Sequence, residues 1–284
     1  MTSPTTSKPT PAAAERPPEP KARFSDLLAA EWIKLWSLRS VRWAFAGTAA
    51  VLLTVTVVGA LADARHYAGE DEKAKAYFRA FGTVSSSFNS GAATALIVGA
   101  GAIGAITVLG EYTTGMIRTT FTAVPARRSV MAAKVAVVVA TTTALGVVVA
   151  LLSFGAAQAV LSGQDAAVGL GHTGIPRLLV ASALLAPVSA LVGMGLAALI
   201  RNSVLTIVVT IALLFVIPSV LNGRSHLQAS ILHMTILQAW HRIGHDIATG
   251  EQWPWTVGGA CTVLAVWSLA AAALAVLGPS HRDQ

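Results

Sequence analysis

The sequence predicts an all-α membrane protein: six transmembrane helices, an N-terminal helix lying in the cytoplasmic interface, and both termini cytoplasmic. Three observations predict it. First, the 284 residues are 54% hydrophobic and only 12% charged, with mean hydropathy +0.66, whereas a soluble chain carries about 25% charged residues. Second, charge is missing in blocks. No Asp, Glu, Lys or Arg occurs in residues 44–62, 80–110, 135–164, 178–200, 202–223 or 252–281. A hydrocarbon core ~30 Å thick takes about 20 residues of helix, so each block holds one span. Third, thirteen of the twenty Lys and Arg fall on one side of those spans when the N-terminus is placed inside, as the positive-inside rule requires.

A bilayer offers the backbone no water, so a span must satisfy its own N–H and C=O groups. Long apolar runs do so as helices and lack the alternation of a barrel strand. The basic balance belongs to topology and anionic headgroups. With no zinc-finger spacing and no basic helix away from the membrane margin, it does not point to nucleic acid.

Residues 1–22, rich in Pro, Thr and Ala, read as a disordered cytoplasmic tail. Residues 23–43 follow as an interfacial amphipathic helix. Phe24, Leu28, Trp32 and Leu35 recur at helical spacing, Ser25 or Asp26 caps the start, and Trp32, Trp36 and Trp43 suit the headgroup level. Lys34, Arg39 and Arg42 can reach lipid phosphates.

The six-span domain, 44–278, has spans at about 44–62, 90–109, 135–161, 178–200, 203–221 and 255–278. The first ends in Ala60-Leu61-Ala62, which looks like a peptidase site, but its apolar run exceeds a secretory h-region, so it reads as an uncleaved span. In the second, Ala95/Gly99, Ala100/Gly104 and Gly101/Ala105 form small-xxx-small pairs. These predict close helix packing, within the bundle or at a dimer seam. Pro187 and Pro218 interrupt the fourth and fifth spans as kinks or hinges. Residues 279–284 are a second cytoplasmic tail.

The outer loop 222–254 holds "SILHMTILQAW", too short to cross. It is expected as an external or re-entrant amphipathic helix, with Trp240, Trp253 and Trp255 near the outer interface. His226, His233, His241 and His245 lie in it. His241 and His245 are one helical turn apart beside Asp246, but a third ligand is lacking, so no metal site is assigned. The single cysteine, Cys261, lies in the last span, which rules out an internal disulfide and CxxC chemistry.

The spans carry essentially no charges of the kind that mark proton or ion relays. There is no GxSxG motif and no GxxxxGK[ST] phosphate loop. The chain is therefore not expected to be an enzyme, and whatever it moves requires a partner's energy.

One polar island remains, "GEYTTGMIRTTFTAVPARRSVMAAK", residues 110–134. Tyr112, Met116, Thr119 and Thr120 fall at roughly helical spacing, Gly115 permits close approach, and Pro125 divides the segment. Arg127, Arg128 and Lys134 can hold phosphates where the third span begins. The expectation is a short helix that a soluble subunit could grip.

This island, with "LAAEWIKLWSLRSVRW" ahead of the first span, resembles membrane subunits of type-2 ATP-binding-cassette (ABC) transporters of the actinobacterial kind. The resemblance covers most of residues 24–278. It implies a permease of the plasma membrane, an exporter, paired with a second permease copy as homo- or heterodimer and driven by separate ABC ATPase subunits. ATP and Mg would sit on those subunits, and this chain would hold no cofactor. By the same resemblance the loop couples to the ATPase through Glu111, Tyr112, Gly115, Arg118, Thr119, Pro125, Arg127 and Arg128. The interfacial helix contributes Glu31, Trp32, Lys34, Leu35, Arg39 and Arg42. The short turn Arg201-Asn202 leaves little for a second contact, so the loop should dominate coupling. The uncharged spans suit an amphipathic or lipid-like substrate. The rival readings are a non-transporting six-span scaffold or sensor component, and a self-sufficient channel.

Overall fold

The computed structural model describes residues 23–113, 127–221, 223–245 and 253–278, which are helical almost throughout, with no strand among them. Six helical stretches are long and apolar enough to cross a membrane, so the chain is a multi-pass membrane protein. Helix α1 is Phe24–Ser37, and α2, the first span, is Arg39–Gly69. The short helices α3 (Glu72–Tyr77) and α4 (Thr83–Ser87) join through a π turn and lead into α5, Ser90–Thr113. Span three is α6, Arg127–Leu161, and span four is α7, Ile175–Ile200. Span five is α8, Ser203–Ile211, carried on by a π turn at Ala212–Val216 and by α9, Ile217–Val220. Two short helices, α10 (His226–His233) and α11 (Ile236–Gly244), precede the sixth span, α12, Val257–Leu277.

Two of these differ from the sequence expectation. The expected interfacial helix 23–43 is broken at Leu38, which is extended (φ −79°, ψ 113°). This one extended residue separates α1 from α2, so Arg39, Arg42 and Trp43 stand on the first turns of α2. The 31 residues of α2 extend about 46 Å, beyond a hydrocarbon core of ~30 Å. Its far end therefore carries polar Asp63, which accepts a hydrogen bond from Ser86 Oγ.

Close packing centres on α7, with α5 and α6 against it. A Cβ added at Gly104 would fall on the Ala190 carbonyl, and one at Gly193 on the Gly101 carbonyl. Only glycine lets these backbones touch. The small residues Ala100, Gly101, Gly104 and Ala105 of α5 are thus used inside the chain. Pro187 leaves α7 unbroken. It has no N–H for the Ala183 carbonyl one turn earlier, and that freed carbonyl is what a Cβ at Gly146 of α6 would meet. Pro218 is accommodated differently. The π turn ahead of it shifts the ladder by one residue, with Ile217 N–H donating to Ala212 O, so the helix continues past the ring.

At the end away from α1, α10 and α11 form a hairpin that dips between spans five and six. Trp267 lies at the middle of α12, and its Nε1 donates to Met234 O at the hairpin's elbow, 2.8 Å away. Trp240, expected near the outer interface, is instead fully buried. Its Nε1 donates to Ser182 Oγ at 2.9 Å and its ring packs on Phe88, because α11 lies antiparallel along α7 below the bundle rim. The loop histidines pack on rings: His226 edge-on to Trp253, His233 stacked on Trp255, and His245 stacked on His241. Asp246 lies outside the described residues. Among the described residues no three ligating side chains come together for a metal.

Burial, then the neighbouring His241 and Arg177, hold the His245 imidazole down at about 4. A depressed histidine favours the neutral folded form, so its stabilisation is complete above the ordinary value near 6.5 and is lost as pH falls toward 4. The full effect is at most about 3 kcal/mol, at 1.36 kcal/mol per unit. Amide exchange across 236–244 is expected to be faster at pH 4.5 than at pH 7.5 after correction for intrinsic rates. His245→Gln should remove most of that difference, and an unchanged pH dependence in the variant would overturn the assignment.

Candidate functional site

The end of the bundle that carries α1 gathers both ends of the polar loop. The start of α1 is fixed by Asp26, whose Oδ2 accepts from the Arg23 N–H at 3.0 Å. Its last turn is held by Ser37 Oγ, which donates to Lys34 O at 2.8 Å. The face of α1 turned to the bundle is Leu28, Glu31 and Leu35, so of the spaced residues Phe24, Leu28, Trp32 and Leu35 only Leu28 and Leu35 pack inward. Trp32 is 50% exposed, and Phe24 and Ile33 are exposed with it.

Glu31 meets Lys134 of α6 inside the protein, their side chains 4% and 5% exposed. Lys134 Nζ also donates to Glu111 Oε1 at 2.9 Å, at the C-terminal end of α5. Lys34 completes the set, 2.7 Å from Glu31 Oε1 and 3.4 Å from Glu111 Oε1. Two carboxylates and two ammonium groups therefore alternate, each Lys between both Glu, with no net charge. Desolvation of isolated charges costs several kcal/mol each, and only such close pairing with hydrogen bonds offsets it. Burial alone would make Lys34 easier to deprotonate. The hydrogen bond that Lys34 donates to Glu31 and the charges of Glu111 and Glu31 outweigh it, and its pKa is raised above the ordinary lysine value. A pocket of ≈ 80 Å³ opens beside the quartet, floored by Leu35, Leu38, Val137 and Val138.

The next residue of the loop reaches the other spans. The Arg201 guanidinium lies over the Tyr112 ring, 5.4 Å from its centroid, and Arg201 Nη2 donates to Gly278 O at 3.5 Å. Arg201 ends α7 with φ +56°, a left-handed conformation that costs a non-glycine residue roughly 1–2 kcal/mol. Its side chain compensates by joining the ends of spans two and six. Glu111 thus ties α5 to α1 and α6, while Tyr112 ties it to the 201 turn and α12.

Of the residues singled out from sequence, Glu31, Lys34, Leu35, Glu111 and Tyr112 come together here. Arg39, Arg42 and Arg128 are exposed, Trp32 faces outward, and Arg127 opens α6 half-buried. Gly115, Arg118, Thr119 and Pro125 lie outside the described residues. Two expectations need correction. Lys134 and Lys34 do not hold lipid phosphates; their ammonium groups are taken by Glu31 and Glu111. The turn at Arg201 is also more than a short link, since it packs on the loop's own Tyr112. The only sequence signal for Arg201 is a lone charge between two apolar spans.

This arrangement joins α1 to the ends of spans two, three, four and six. Compared with known proteins, the chain matches no family model and no curated protein.

Proposed function

We propose that this chain is the membrane-spanning subunit of a type-2 ABC transporter, an exporter of the plasma membrane with both termini cytoplasmic. A separate ATPase subunit, carrying ATP and Mg, drives it through the loop 110–134. The resemblance of the two sequence motifs leads to this reading. The observation that supports it best is the buried quartet, because Glu111 and Lys134 stand at the two ends of the loop and share their charges with Glu31 and Lys34 of α1. A partner that displaces the loop must move α1 and spans two and three with it, since separating them would bury unpaired charge. The Tyr112–Arg201 contact extends the same displacement to spans four and six. ATP then acts by favouring one arrangement of these ends over another. A scaffold or sensor component would bind through the same loop without coupling it to hydrolysis.

The test is co-purification with the ABC ATPase encoded beside this chain, followed by hydrolysis in liposomes. Arg118→Ala, outside the buried quartet, should leave the complex assembled while changing its ATPase rate about tenfold, a coupling of 1.4 kcal/mol. Assembly with a rate indifferent to Arg118 would favour the scaffold reading. A chain that elutes alone would remove the transporter reading altogether.

A further inference from the structure

The helix hairpin between spans five and six leaves a groove at membrane depth, of ≈ 150 Å³. Its walls are Leu213 and Leu214 of the π turn, Ile217 and Pro218 of α9, and Ile231 and Ile236 of the hairpin. Leu214 and Ile236 form a buried floor, and Ile217, Ile231 and Met234 form an exposed rim. The two polar groups at its edge are already engaged. Thr235 Oγ1 donates to Leu232 O and accepts from the Gln238 N–H, and Trp267 Nε1 donates to Met234 O.

We propose that this groove is a binding site for one acyl chain of a bilayer phospholipid. Size and polarity choose the occupant. A helix of another chain is 10–12 Å across and cannot enter so small a cleft, whereas an apolar cavity of about this volume takes a small hydrocarbon. A non-helical peptide would bring a run of backbone N–H and C=O groups, and both polar side chains at the groove's edge are already engaged. The flanking helices are themselves membrane spans, so hydrocarbon chains are the medium at the rim. One wall combines Leu213 and Leu214 of the π turn with Ile217 and Pro218 just after it. The site rests on the membrane-spanning architecture and is independent of the transporter reading.

The experiment uses the full chain in liposomes of phosphatidylcholine bearing a diazirine on one acyl chain, irradiated and mapped by mass spectrometry. Adducts should concentrate on 213–218 and 231–236, about tenfold above those on the exposed face of α12 at Val266 and Leu269, the enrichment that 1.4 kcal/mol of preference gives. Ile231→Trp and Ile217→Trp, which fill the groove from opposite walls, should each abolish the enrichment while adducts on α12 persist. Even labelling of groove and α12 in the unaltered chain would overturn the proposal, whatever the variants do. So would a disulfide-linked dimer formed by Met234→Cys in a Cys261→Ser background, since a second copy's side chain would then occupy the groove.

Discussion

Replacing Lys134 by Met is expected to cost about 3–5 kcal/mol of folding stability, the usual penalty for removing one partner of a buried charge pair. The loss follows from the alternating quartet. Without Lys134, Glu31 and Glu111 face each other with only Lys34 to balance them, and Glu31 is 4% exposed. A second removal should therefore help. Glu111→Gln in the Lys134→Met background leaves one matched pair, Glu31 with Lys34, and should recover more than half of the loss. Denaturant titration of the chain in mixed micelles would measure both variants. A double variant as unstable as the single one would mean that the quartet is not balanced by charge and that Lys134 matters only for its bulk.

The second large effect lies in the middle of the bundle. Gly104→Val and Gly193→Val should each cost about 3 kcal/mol or more, the upper end for overpacking. The added atoms meet backbone carbonyls of the facing helix, which cannot rotate aside. Gly155→Val is the matched control: nothing lies within 4 Å of its Cβ position, and the change should stay within about ±0.5 kcal/mol. The same titrations, run on all three variants, separate packing from the general effect of a β-branched residue in a helix. Equal losses at Gly155 and Gly104 would show that backbone contact between α5 and α7 is not what holds these spans together.

The six spans were legible because charge is excluded from hydrocarbon for hundreds of angstroms of chain, and blocks of absence survive any error at their edges. Span ends were less legible. Helix continues into the headgroup zone, so α2 and α6 overrun their apolar cores, and the single extended residue at Leu38 carries no turn signature. The coupling residues come from the family resemblance, and helical spacing alone sets Phe24 and Trp32 on one stripe of α1 with Leu28 and Leu35. What decides the inward face is Glu31, whose partner Lys134 is 103 positions away, and spacing within one helix holds no trace of it. The sequence places Trp240 at the rim for a related reason. A tryptophan near a membrane rim suits the headgroups, unless its helix dips inward and offers it a hydroxyl such as that of Ser182.

The quartet also sets an order of events in biogenesis. A chain is made from its N-terminus, so Glu31 and Lys34 leave the ribosome first, Glu111 follows at the close of the second span, and Lys134 arrives last. Until then two carboxylates share one ammonium, an arrangement that is stable only in water. The ends of α1 and the second span are therefore expected to stay hydrated and unlocked until the beginning of the third span delivers the missing positive charge. Lys134 is in that sense a completion signal, closing the joint only when the elements it joins have all been inserted.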